Sequence, residues 1–473
     1  MELFLDPSDG RPRTVQIYEQ LRKAIVEGRL SPHDRLAPTR MVAADLGVSR
    51  STVTEAYGRL SAEGYIEGRA GGGSVVSPVP LAQARPRRSP GTLTATPRAA
   101  RIIPYGRPGL QARFDLRPGT LDPALFPVAE WRRCMVHALD RAPSHYGEPA
   151  GIPELRAGLA NWSSRSRGVT ATAEDVVVTS GAGHAVDLIA RVLLDPGVVV
   201  AVEEPGYPPV VELLRAQGLN VVGVPVDNQG IVVDAIPPKA RLVYVTPSHQ
   251  YPLGMVMTRR RRLELLDWAG SAGAAIIEDD YDSEFRHTAR PLEPLQRLDR
   301  DGRVIYVGTF SKTLSPGVRL GFLVAPKNLI PSICAVRQVI DWCPPLATQV
   351  ALAAFISDGH LDRHLRRSRA AYRERHRLLW DALSELLPDE YRLLPAEAGL
   401  HITIVRQDLP PDQSVWSLLE SRGFLIGSLR LTYRFTDPTP GFLVGFGALP
   451  TPSISAACQA FAQTLERIEQ AAS

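Results

Sequence analysis

Lys312 is the residue of this sequence with the clearest capacity for covalent chemistry. It stands in YVGTFSKTLSPGVRLGF (306–322), just beyond a strand-like apolar run and close to Thr309, Ser311 and Arg319. A lysine amine condenses with a carbonyl to form a Schiff base, which an arginine does not do. Hydroxyls and a guanidinium in the same loop suit a phosphate dianion. The lysine is also uncommon: only Lys23, Lys239, Lys312 and Lys327 occur among 54 basic residues. A GC-rich genome explains the preference for arginine, and against that background a lysine in a Ser/Thr/Gly-rich loop stands out.

A Ser-Lys pair alone says little, because most lysines at loop ends are solvated. Three further segments change this. In IIEDDYDSEF (276–285) a buried run ends in acids, where Asp279 could pair with a protonated pyridine nitrogen and Tyr281 could bond a phenolic oxygen. In TSGAGHAVDLIARVLL (179–194) a strand turns through glycines into an amphipathic helix, whose first amides, at Ala182 and Gly183, would add phosphate donors. The G-x-G here lacks the rest of G-x-G-x-x-G, which argues against a dinucleotide fold. In EEPGYPP (203–209), Tyr207 could stack on a flat ring. An amine, a phosphate cradle, an acid for a ring nitrogen and an aromatic lid together fit pyridoxal 5′-phosphate (PLP), with Lys312 as its covalent anchor. No metal site is expected.

These residues need a scaffold, and apolar runs alternating with helical stretches supply one. DVVVTS (175–180), VVVAVEEP (198–205), NVVGVPV (220–226), RLVYVTP (241–247), GAAIIEDD (273–280), RVIYVG (303–308) and GFLVAP (321–326) read as buried strands. The pattern predicts an α/β fold, a mostly parallel sheet between helices. A smaller C-terminal α+β lobe follows, with a helix near 361–386 and strands around 399–405, 424–435 and 442–447. With 473 residues, two or three domains are expected. The divisions fall at 1–76, at a Pro/Arg-rich linker over 77–113, and at 114–473. The linker carries seven arginines and no acid, while residues 1–76 balance ten basic against ten acidic side chains. Cys134, Cys334, Cys343 and Cys458 lack metal-ligand spacing and read as buried thiols in a reducing cytosol. Asp6 and Asp9 interrupt any apolar leader, and no run approaches the ~20 apolar residues of a membrane span. A cytoplasmic protein without a membrane partner is expected.

The N-terminal region carries a different chemistry. Ile17, Leu21, Ile25 and Leu30 form one helical stripe, and Leu36, Met41, Leu46 and Val48 lead into a second and third element. In LAPTRMVAADLGVSRSTVTEAYGRLSAEGYIEGRAGGGSVV (36–76), Gly47 permits a tight turn and Ser49 or Ser51 could cap the next helix. Val53, Ala56, Tyr57 and Leu60 then face inward, which leaves Arg50, Ser51, Thr52 and Thr54 outward, where a helix-turn-helix meets DNA. Beyond it, Tyr65–Ile66, a turn at Gly71–Gly73 and Val75–Val76 make a two-stranded wing. Electrical neutrality predicts modest affinity for one such domain alone.

The 36–65 stretch, with LGVSRSTV and EGY, resembles the GntR family of winged-helix regulators. In that family the positions of Arg40, the Arg50–Thr52 run and the wing glycines, here Gly71 and Gly72, touch double-stranded DNA. Residues 114–470 resemble the fold-type I PLP-dependent aminotransferases, and YGEPAGIPELR (146–156), with Tyr146 and Gly151, looks like a loop of that site. The whole chain resembles the MocR subfamily. That resemblance implies a homodimer, head to tail, on an operator with paired half-sites. It also implies a domain sensing PLP, or PLP with a small amine or amino acid effector, through an internal or external aldimine at Lys312. Effector carboxylates in such folds meet a C-terminal arginine, here Arg430 in GSLRLTYRF (427–435), or next Arg434. One departure bears on activity: QYPLG (250–254) puts Tyr251 where aminotransferases have an asparagine that helps hold the phenolic oxygen. A sensor is therefore favoured over the alternative, a working aminotransferase with an accessory DNA-binding domain. A third reading leaves the large domain to dimerisation alone.

Overall fold

The computed structural model describes residues 3–69, 73–78, 94–103, 112–140, 146–287, 293–409 and 412–472. The chain divides into two compact units, Met1–Thr94 and Ala95–Ser473.

In the first unit, α1 (Arg13–Val26), α2 (Thr39–Asp45) and α3 (Arg50–Ala62) pack around Ile17, Leu21, Val53, Ala56 and Leu60. The α3 helix starts where Gly47 turns the chain at φ +61° and the Ser49 hydroxyl accepts the Thr52 N–H at 3.2 Å. Strands β1 (Ile66–Arg69) and β2 (Gly73–Val76) close the unit as an antiparallel pair, with Ile66 opposite Val76. Met41, one of the apolar residues leading into the second element, is 52% exposed, and its neighbours Val42 and Ala43 face the core. Successive helical residues point about 100° apart, and a seven-residue helix holds too few turns for periodicity to fix its buried face.

The second unit opens with a short helix, α4 (Pro97–Ala100), inside the segment read as linker. Strand β3 (Phe114–Leu116), α5 (Val128–Asp140) and α6 (Pro153–Arg167) follow. Then come β4 (Val176–Thr179), α7 (Ala182–Leu193), β5 (Val199–Glu204) and α8 (Pro208–Ala216). The sheet continues with β6 (Asn220–Asp227), β7 (Gly230–Ile231), β8 (Ala240–Val245), β9 (Ala275–Asp280), β10 (Val304–Thr309) and β11 (Gly321–Val324). Their order is β4-β11-β10-β9-β8-β5-β6-β7, and only β11 and β7 run against the rest. All seven strand-like runs of the sequence are strands of this sheet. They are continuously apolar because both faces are covered. Val177, Ile305 and Leu323 pack under α7 and α8, while Val176, Val178 and Phe322 pack on the opposite side under α6.

The smaller lobe holds β12 (Arg392–Leu394), β13 (His401–Val405), β14 (Phe424–Ser428) and β15 (Gly441–Gly445), with long helices His360–Leu386 and Ile454–Ala472. Its sheet runs β12-β13-β15-β14-β3. The lobe is thus completed by residues from the other end of the domain, since β3 pairs in parallel with β14. The strand expected over 424–435 stops at Ser428, and Arg430–Thr432 form a 3-10 turn. Of the cysteines, Cys134 and Cys458 are buried but Cys334 and Cys343 are half-buried. No described helix is long and apolar enough to cross a membrane.

Candidate cofactor site and nucleic-acid interface

Strands β4, β5, β8, β9 and β10 run parallel, so their carboxyl ends share one edge of the sheet, where open α/β folds bind ligands. Asp279 sits at the end of β9 and is buried; its Oδ2 accepts from Tyr244 Oη at 2.5 Å. Its Oδ1 is buried and has no hydrogen-bond partner among the described residues. Burial, with Asp280 and Asp282 nearby, pushes the Asp279 carboxyl up to about 7, against Tyr244 and Lys312, which favour the charged form. A buried carboxylate oxygen without a partner is costly, and a protonated ring nitrogen is a donor that would relieve it.

Lys312 lies beyond the end of β10, with Nζ donating to the Gly119 carbonyl at 3.0 Å. Burial pushes its ammonium below the usual lysine range, while Asp282 and Asp279 oppose this. An amine with an easily lost proton is the better nucleophile toward a carbonyl. Gly119 adopts φ +74°, and a Cβ there would stand 2.3 Å from Nζ, so a side chain at this point would push the amine away from its carbonyl partner.

The phosphate-binding candidates converge beside it. Thr309 Oγ1 donates to Ser311 Oγ at 3.1 Å and accepts the Ser311 N–H at 3.2 Å. Helix α7 begins at Ala182 and Gly183, after Gly181 at φ +114°. The Arg319 guanidinium lies over Gly181, its nitrogens 3.6 and 3.7 Å from where a Cβ on Gly181 would be. Arg319 itself adopts φ +51°, a left-handed conformation that non-glycine residues rarely hold and that tends to mark functional loops. Exposed cation, helix N-terminus and hydroxyls thus form one cradle suited to a dianion. Tyr207, at the head of α8, is 38% exposed and meets the Tyr251 ring edge-on at 5.5 Å. Tyr281 approaches Tyr251 from another side, ring centroids 6.1 Å apart. The residues present therefore fit PLP.

Arg430 stands on the 3-10 turn after β14, with Nη2 donating to the Leu409 carbonyl at 3.4 Å. Arg434 Nη1 donates to Leu431 O at 2.8 Å and its Nε faces Glu212 at 3.5 Å. Sequence reasoning missed Tyr244, Gly119, His249 and Asp282. Tyr244 read as an apolar strand residue, although a buried phenol needs a partner and that was the available signal. His249 Nδ1 lies 2.9 Å from both Asp282 Oδ1 and Tyr281 Oη, a contact no local pattern announces. Cys134, Asp358 and His360 also come within 4.8 Å of one another. There Arg363 donates to His360 Nδ1 at 2.7 Å, which leaves the proton of a neutral imidazole on Nε2, the nitrogen facing Asp358.

In the first unit, Arg40 on α2 and Arg50, Ser51 and Thr54 on α3 are exposed. Thr52 is half-buried, its hydroxyl 2.7 Å from Ser49 Oγ. Thr54 Oγ1 donates back to the Arg50 carbonyl at 2.9 Å. Gly71 and Gly72 lie outside the described residues.

Comparison with known proteins matches both units. Residues 13–76 match the family "Bacterial regulatory proteins, gntR family", and residues 120–426 match "Aminotransferase class I and II". The chain is 37% identical to the probable rhizopine catabolism regulatory protein MocR of Rhizobium meliloti, over 94% of this chain and 92% of that protein. It is 34% identical to the pyridoxine biosynthesis transcriptional regulator PdxR of Corynebacterium glutamicum, over 95% of each. The fold of Pyrococcus horikoshii kynurenine aminotransferase superposes with a TM-score of 0.69 at 27% identity, over 75% of this chain and 91% of that one. A GntR winged helix followed by a fold-type I aminotransferase domain places the chain in the MocR-type GntR transcription regulators, a DNA-binding family.

Proposed function

We propose that this regulator answers to PLP, or to PLP with a small amine or amino acid, held at Lys312. The observation that carries this reading is the buried Asp279 oxygen without a partner among the described residues, on the same sheet edge as the half-buried Lys312 amine. Lys312 anchors the cofactor, Asp279 holds its ring nitrogen, Tyr281 bonds its phenolic oxygen and Tyr207 covers a ring face. The amides of Ala182 and Gly183, with Thr309, Ser311 and Arg319, hold the phosphate. Bound PLP would supply an electrophilic carbon that exchanges amines. Arg430 receives an effector carboxylate. Arg40, Arg50, Ser51, Thr52 and Thr54, with Gly71 and Gly72 of the wing, contact operator DNA in the cytoplasm.

A homodimer on paired half-sites suits this reading. Effector binding would shift domain packing or dimer geometry and so change DNA affinity. The test is footprinting of the upstream region of the protein's own gene, with and without PLP and a panel of amines. Two protected half-sites whose occupancy depends on PLP are expected, and protection indifferent to PLP and every amine would sink the sensor role. The complete set Lys312, Asp279 and Arg319 favours a second reading, an active aminotransferase, while Tyr251 in the asparagine position argues against it. Sustained turnover of an amino acid with an oxo acid would favour the enzyme.

A further inference from the structure

Behind Tyr281 lies a buried pair with no task in the scheme above. His249 Nδ1 stands 2.9 Å from Asp282 Oδ1 and 2.9 Å from Tyr281 Oη, and both His249 and Asp282 are buried. A carboxylate oxygen accepts hydrogen bonds, so the imidazole nitrogen facing it carries the proton. That same N–H faces the phenol oxygen, which therefore accepts rather than donates. The hydroxyl proton of Tyr281 must then point elsewhere. It also stays in place, because burial beside Asp282, Tyr251, Asp279 and Glu203 holds the phenol well above the usual tyrosine range.

The imidazole is pinned from two further sides. Gly399, at φ +88°, presses its backbone so close that a Cβ would lie 2.0 Å from His249 Cε1 and 2.8 Å from Asp282 Oδ2. His401 tilts against the ring at 5.2 Å, and its Nε2 meets the Pro252 carbonyl at 2.9 Å. The other histidines facing this ring are His287 and His376, and burial pushes His287, His376 and His401 down to about 3, about 4 and about 4. All three are neutral at physiological pH, and the other titratable groups around Tyr281 and the dyad are Asp279, Glu203, Lys312 and Arg286.

We infer that His249 and Asp282 form a positioning dyad that turns the Tyr281 hydroxyl proton outward, toward the phenolic oxygen of the cofactor. The inference rests on the PLP reading above. It gives this chain a fixed donor where Tyr251 has replaced the asparagine of aminotransferases. A donated hydrogen bond makes the phenolate less basic, which disfavours the protonated, visible-absorbing form of the cofactor-loaded protein. Losing the donor moves the pH midpoint between the visible and near-ultraviolet bands upward.

The experiment is a spectroscopic pH titration of the full-length, PLP-loaded protein. Tyr281→Phe should raise the midpoint by about one unit or more, and His249→Phe should raise it in the same direction. The double variant should match Tyr281→Phe alone, because His249 acts through the phenol. His249→Asn, whose amide nitrogen stands close to the Nδ1 position, should return the midpoint to that of the wild type. Should His249→Phe not fold, His249→Leu reads the same dyad without changing the charge at Asp282 and should also shift the midpoint up. A wild-type midpoint in His249→Phe or in His249→Leu, or additive shifts in the double variant, overturns the dyad while leaving the cofactor reading intact. A wild-type protein that develops no visible band with PLP overturns the cofactor reading and the dyad with it.

Discussion

Lys312 is half-buried and Asp279 buried, and desolvation acts on them in opposite directions, pushing the amine down and the carboxyl up. Each drifts toward its neutral form until a partner of the right chemistry restores charge. Lys312→Ala removes the only described amine in the site, and purified protein is expected to be colourless where the wild type is yellow. Absorbance spectra check this. Asp279 gives a pH-dependent signature. Its proton is held from the ordinary 3.8 up to about 7 in the folded state, so the stability it contributes is complete below about pH 4. That stability is lost as pH rises toward 7. Asparagine does not titrate and lacks this loss, whereas buried His287, His376 and His401 act equally in both proteins. The melting temperature of cofactor-free Asp279→Asn, relative to wild type, should therefore climb between about pH 5 and about pH 7.5. A constant difference would show that the carboxyl is not held protonated.

At the scale of elements, α3 depends on its first turn. Ser49 accepts the Thr52 N–H and also meets the Ser51 and Thr52 hydroxyls, both at 2.7 Å. Ser49→Ala should cost about 1 kcal/mol, lowering the first calorimetric transition if the N-terminal unit melts by itself. Arg50, in the first turn of α3, is exposed. Arg50→Ala should weaken operator binding, and if the residue meets phosphate the slope of log affinity against log salt should shrink by about 1. An unchanged slope with lost sequence preference would reassign Arg50 to a base edge. The α8 helix links two parts of the large unit: Tyr207 heads it, and its Glu212 faces Arg434 at 3.5 Å and the Ile103 amide at 3.4 Å.

For the whole molecule, the decisive property is that the winged helix and the aminotransferase-like domain are separate units with separate cores. A neutral N-terminal domain gains little from long-range attraction to phosphate, and in the proposed homodimer two copies on one operator offset that. Removing one half-site should weaken binding on the order of a hundredfold in gel-shift titrations. Sedimentation should give twice the 51.6 kDa chain mass; a monomer at working concentration would defeat the paired-site arrangement.

The sequence by itself determined what is local. Strands buried on both faces are continuous apolar runs, so the large sheet was legible strand by strand. The Thr309–Arg319 loop and the start of α7 were each legible in their own segment, but only the sheet order brings the Arg319 guanidinium over Gly181. What depended on long-range packing was not legible. Lys312 meets the Gly119 carbonyl from 193 residues away, and Tyr244 finds Asp279 only because β8 and β9 are neighbours. Met41 turned outward, Arg430 fell on a 3-10 turn instead of a strand, and β3 crossed into the smaller lobe. The His249–Asp282 pair became visible only once the backbone of Gly399 closed over it. Periodicity and capping report on a residue's own turn of helix or strand. The partner that orients a proton is chosen by the packing of distant segments, and only the tertiary structure decides that.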